Sequence, residues 1–124
     1  MFQINEDKSI YLTRGDACII KVEVTDNKGN IQTLHEGYIV RLKVFDKKGC
    51  GCVVLQKDVK VNSEMTSVQI PLSKEETKIG EIINKPKDYW YEIELNPDKA
   101  PQTIVGYDED GAKILKLFPE GGDM

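Results

Sequence analysis

The sequence predicts an all-β domain in which about seven or eight short strands form two packed antiparallel sheets with a single short helical turn. Three observations carry this. Apolar side chains recur at every second position along most of the chain, the period of a strand with one buried face. The apolar runs are short and are separated by clusters of Gly, Asn, Asp and Pro, which reverse the chain. Only one segment shows the start and stop signals of a helix.

In chain order, Ala17 to Thr25 alternates with Cys18, Ile20, Val22 and Val24 on one face and Ile19, Lys21, Glu23 and Thr25 on the other. Asp26, Asn27, Lys28, Gly29 and Asn30 then tolerate positive φ and turn the chain. Tyr38 to Phe45 is the next strand, with Val40, Leu42 and Val44 inward and Arg41 and Lys43 outward, and it breaks at Asp46 to Gly51. Cys52 to Val61 and Met65 to Leu72 follow, joined by a turn at Asn62, Ser63 and Glu64, and Pro71 weakens the ladder of the second.

Ser73 with Glu76 three residues on fits a capping box, and Gly80 fits a stop, which predicts one or two helical turns over Lys74 to Ile79. After a polar, proline-containing stretch from Glu81 to Lys87, the run Tyr89 to Leu95 puts Tyr89, Tyr91, Ile93 and Leu95 on one side and Trp90, Glu92 and Glu94 on the other, the pattern of a central strand. Thr103 to Tyr107 and Ala112 to Phe118 read as two short strands around Asp108, Glu109, Asp110 and Gly111, where an Asp-Gly pair suits a tight hairpin. Residues 1–120 make one domain, and 121–124 a flexible C-terminal end.

Composition bounds the function. The chain has 124 residues, 40% hydrophobic and 31% charged, which suits a single packed domain rather than a disordered chain. Seventeen Lys and Arg against 21 Asp and Glu give a net charge of −4, which disfavours a phosphate backbone as partner because counterion release needs clustered cations. No stretch has the apolar length of a membrane span, and Met1 to Lys8, with Glu6 and Asp7, is not a secretory signal, so the expected starting compartment is a cytoplasm. Three cysteines, Cys18, Cys50 and Cys52, are expected as reduced thiols because no disulfide framework uses an odd number.

The motifs that could carry chemistry each have a plainer reading. Arg14, Gly15 and Asp16 spell the triplet that integrins read in adhesive ligands, yet a glycine between charges also serves a bend where two strands meet. Cys50 and Cys52 flank one glycine, closer than zinc ligand pairs stand, and a disulfide across one residue would be strained. His35, the sole histidine, would have to serve as base for any serine or cysteine nucleophile, and no orienting partner stands at a recognisable spacing. Asp108 to Gly111 resembles half of a calcium loop, but the hydrophobic run that follows supplies no further oxygen ligands, and a turn is the better reading. Alternation sends Tyr89 and Tyr91 to the core and leaves Trp90 as the ring that faces solvent or a partner. Arg14, Asp16 and Trp90 are therefore the candidate interface residues, with no catalytic, cofactor or metal site expected.

The run Tyr11, Leu12, Thr13, Arg14, Gly15, Asp16, Ala17, followed by an alternating strand, resembles the opening of phage baseplate upper proteins and related prophage tail proteins. Leu34 to Tyr38 resembles that family's polar step before its third strand, Leu72 to Gly80 its helical crossover, Tyr89 to Leu95 its tyrosine-rich strand, and Thr103 to Glu120 its closing segment. Glu81 to Asp88 is an insertion relative to the family, and the cysteine pair is foreign to it. The resemblance implies an immunoglobulin-like module of a tail or baseplate that acts through protein contacts, in the virion after assembly in the host cytoplasm, often as a homo-oligomer. Its partners would be other tail proteins or copies of itself, with no nucleic acid, membrane or cofactor. The alternative is a ligand-binding module that recognises cell-surface glycans or a host receptor through Trp90 and loop carboxylates.

Overall fold

The computed structural model describes residues 1–25, 28–48, 52–96, 102–105 and 112–120, and for 102–105 the backbone alone. Nine strands and no helix lie within them: β1 (Phe2–Ile4), β2 (Ile10–Thr13), β3 (Cys18–Val22), β4 (Ile39–Phe45), β5 (Val53–Lys60), β6 (Val68–Leu72), β7 (Lys87–Leu95), β8 (Gln102–Val105) and β9 (Lys113–Phe118). They form a β-sandwich of unequal layers. The larger sheet has seven strands in the order β1-β2-β9-β7-β4-β5, with β8 also paired to β7, and the smaller is the pair β3-β6.

The core is the sum of the inward positions. β4 contributes Val40, Leu42 and Val44, β7 Tyr89, Tyr91, Ile93 and Leu95, β9 Leu115 and Leu117, and β2 Ile10 and Leu12. β3 and β6 face them with Cys18, Ile20, Val22, Val68, Ile70 and Leu72, and Val24, Leu34, Val61 and Ile79 close the ends of the same cluster. Each fully buried Leu, Ile or Val contributes roughly 1.5–3 kcal/mol by leaving water, which is why a strict period of two selects the inward face of each strand.

Two expectations need correction, and a third is met in its shorter form. The sheets are not wholly antiparallel: β2 pairs with β9 in parallel, Ile10 opposite Leu115 through Thr13 opposite Phe118, so the larger sheet is mixed. Alternation reports which face a residue takes and is silent on the direction of the neighbouring strand. The expected short helical turn is formed, as one turn. Its capping box is formed, with Ser73 N–H donating to Glu76 Oε1 at 2.9 Å and Glu76 N–H to Ser73 Oγ at 3.1 Å. Thr77 N–H reaches Ser73 O at 3.1 Å and Lys78 N–H reaches Glu75 O at 3.2 Å, after which Gly80 takes φ of 65° and ends it. So few residues cannot offset the cost of helix nucleation by propagation.

The second correction concerns the last two strands. β8 and β9 are not hairpin partners; both run antiparallel to β7 along one side, β8 opposite Ile93–Leu95 and β9 opposite Lys87–Tyr91. Asp108 to Gly111, Cys50 and residues 121–124 lie outside the described residues. The two N-terminal strands form a hairpin closed by Asn5 N–H to Ser9 O and Lys8 N–H to Asn5 O, with Lys8 at φ of 74°, and the Tyr91 hydroxyl donates to Lys8 O.

Candidate interaction face

The larger sheet has one face in the core and one outside, and the outer face is ordered by cross-strand register. Across β9, β7, β4 and β5, Ile114 stands opposite Trp90, Trp90 opposite Phe45 and Phe45 opposite Val53. These four form an apolar row over four strands. Val53 and Ile114 are exposed, as is Val54 beside the register shift after Val44, while Trp90 and Phe45 are half-buried by their neighbours. A second apolar group lies one step towards β2, where the Tyr11 and Phe118 rings meet edge-on with centroids 5.6 Å apart.

Beside the apolar row, charges stand in opposed columns on β4 and β7. β4 presents Arg41 and Lys43, and β7 presents Glu94 and Glu92 directly across from them. Arg41 grips Asp58 of β5 through two bonds, Nε at 2.8 Å and an Nη at 2.9 Å, and this holds the Asp58 carboxyl below its ordinary range. Lys43 Nζ lies 2.9 Å from Glu94 Oε1, an ion pair whose angles fall short of a hydrogen bond. Glu92 forms no ion pair or hydrogen bond to any described residue. Burial on the sheet, followed by the neighbouring Glu94 charge, pushes its carboxyl above the usual glutamate range.

Of the residues expected at an interface, Trp90 is on this face, and the other two are elsewhere. Arg14 is buried and spent internally: Nη1 lies 2.5 Å from Glu120 Oε1, Nη2 donates to Gly80 O at 2.9 Å and Nε to Ile79 O at 3.4 Å. Gly15 follows at φ of 89°, and its N–H donates to the buried Thr77 Oγ1 at 3.0 Å. An adhesive Arg-Gly-Asp needs both charged ends presented together, and here the guanidinium faces inward. Asp16 is exposed and accepts from the Met1 amino group. The bend expected of the glycine is real, and its role is to dock β2 against the Ser73–Gly80 turn.

His35 sits on the surface with Nδ1 3.1 Å from Glu64 Oε1 and its ring edge-on to Tyr38. Cys52 is an exposed free thiol, and its backbone N–H donates to the Asp46 carboxylate at 2.7 Å. Cys18 lines an open, mostly apolar groove of about 630 Å³ between β3, β6 and the Ser73 turn, beside Lys57 and Glu76. Burial pushes the Cys18 thiol up to about 11, so near neutral pH it is protonated and a poor nucleophile. Lys57 Nζ meanwhile pairs with Glu76 Oε2 at 3.0 Å. Among the described residues no group of three or more His, Cys, Asp or Glu could hold a metal ion, and no helix is long and apolar enough to cross a membrane.

The apolar row is not legible in the sequence as a row. The outward phase of Phe45, Trp90 and Ile114 can be read strand by strand, but their alignment depends on the order β9-β7-β4-β5, which alternation does not encode. No model of a known protein family, no curated protein and no solved structure matches this chain.

Proposed function

We propose that this domain is a non-enzymatic assembly module that holds neighbouring proteins in place through the outer face of its larger sheet. The observation that carries the reading is the row Ile114, Trp90, Phe45, Val53, an apolar band across four strands beside the charged columns of β4 and β7. Aromatic anchors inside a polar rim are the composition of protein contacts. The setting, a phage or prophage tail or baseplate, rests on the resemblance carried by Tyr11 to Ala17 and the later segments.

Antibody labelling of particles purified after induction of the source strain tests the setting. Label on tails or baseplates is expected, and particles that never carry the chain would overturn it. Glycan recognition is the competing reading and is favoured by the partly exposed Trp90 ring alone; that residue lines neither the groove at Cys18 nor the one at Ile82–Lys87, both among the described residues. A glycan array on which Trp90→Ala abolishes a wild-type signal would replace assembly by ligand binding.

A further inference from the structure

The geometry points to a second copy of this chain as an occupant of the outer face, packed sheet to sheet about a two-fold axis that runs along the strands between β4 and β7. This deepens the assembly reading and rests on it. The register places Trp90 opposite Phe45, Glu92 opposite Lys43 and Glu94 opposite Arg41. A rotation about that axis exchanges the two columns at constant height. Trp90 then lies over Phe45 of the second copy, Glu92 over its Lys43 and Glu94 over its Arg41, and each contact occurs twice, as an isologous interface requires.

The alternative axis, across the strands at the level of Glu92, stacks Glu92 on its own copy and Trp90 on Glu94. Like charges and a desolvated carboxylate make that arrangement unfavourable. The strand-parallel arrangement also tolerates the twist of real sheets. Packed sheets cross at about 30°, so residues one row from the centre shift sideways by roughly 3 Å, less than the ~4.8 Å between strands.

Glu92 is the residue that the single chain leaves unfinished. Asp58 and Glu94 each have a basic group in contact within the sheet, whereas Glu92 is partly desolvated and feels Lys43 only at a distance, because that ammonium is in contact with Glu94. A lysine from the facing copy supplies that contact. The four central strands offer a footprint of roughly 20 by 25 Å, at the small end of specific interfaces, the size class of weak and reversible contacts.

Sedimentation of the wild-type chain from about 10 μM to about 1 mM should show a monomer–dimer equilibrium. Glu92→Lys alone and Lys43→Glu alone should each weaken it at least about tenfold, because each variant then faces its own copy with like charge. An equimolar mixture of the two should regain the dimer, since one contact then joins the two reversed charges and the other keeps the original Lys43 with Glu92. Thermal melts confirm that each variant is folded. Should either fail to fold, concentration-dependent shifts of the Trp90 indole N–H in the wild type provide the readout, with a shift expected.

A wild type that stays monomeric throughout overturns the dimer. So does a mixture that stays monomeric where the wild type pairs, or an indole signal that does not move with concentration. These outcomes leave tail labelling untouched, so failure of the dimer and failure of the assembly reading are separable.

Discussion

Arg14 and Glu120 are 106 positions apart in the chain and meet through a 2.5 Å contact between guanidinium and carboxylate. The same guanidinium holds Ile79 O and Gly80 O, and Arg14 N–H donates to Phe118 O at 3.0 Å. One side chain thus ties the end of β2 to the Ser73–Gly80 turn and to the segment that leaves β9. An arginine fork suits this because its donors are planar, rigid and always charged, so one side chain reaches three acceptors at once.

Replacing Arg14 with Ala should therefore destabilise the domain by about 2–3 kcal/mol, the range for charge-assisted hydrogen bonds with a partner left partly buried. Asp16→Ala, an exposed change two residues on, should stay within about 0.5 kcal/mol. Urea melts of both test the assignment of Arg14 to the interior, and equal losses would contradict it.

Gly80 is required twice. It sits at φ of 65°, and a Cβ there would come 2.7 Å from Tyr89 Oη. Gly80→Ala is expected to cost about 1–3 kcal/mol from left-handed strain plus contact. In a Tyr89→Phe background the hydroxyl is gone, so part of that penalty should disappear; a double-mutant cycle that shows no coupling would refute the contact.

Ile93 lies on the inner face of the central strand at 2% exposure. Ile93→Ala should cost about 2–5 kcal/mol in urea melts, and a loss under about 1 kcal/mol would mean the inward face of β7 is misassigned.

The pH response follows from opposite shifts. Glu92 has its folded-state pKa raised by burial, so the native state holds its proton more tightly than the unfolded state and loses stability as pH rises from the ordinary value of 4.5 towards the raised one. In dilute solution Glu92→Gln should therefore gain on the wild type as pH climbs from about 4 to about 7, with little difference at the acid end. Asp58, lowered chiefly by its bond to Arg41, acts in the other sense: its contribution is present above its ordinary 3.8 and is lost as pH falls through the lower folded value. Asp58→Asn should flatten that acid limb.

The two described thiols should separate by reactivity. Cys52 is exposed, and Cys18 is buried with its pKa pushed up to about 11. Brief alkylation of the folded chain at about pH 8, read by peptide mass, should modify Cys52 and spare Cys18 until denaturant is added, because only the thiolate reacts.

The sequence by itself determined the burial phase of the strands it showed, because a period of two admits only one choice of inward residues once a face must leave water: Cys18, Ile20 and Val22, then Val40, Leu42 and Val44, then Tyr89 through Leu95. It also specified the reciprocal bonds of Ser73 and Glu76, which depend on neighbours three positions apart. Tertiary structure alone decided the parallel union of β2 with β9, the inward turn of Arg14, and the alignment of Ile114, Trp90, Phe45 and Val53 into one band. Each of these joins residues from distant parts of the chain. Strand order and register arise from how a shared core closes, and no local pattern of side chains records that.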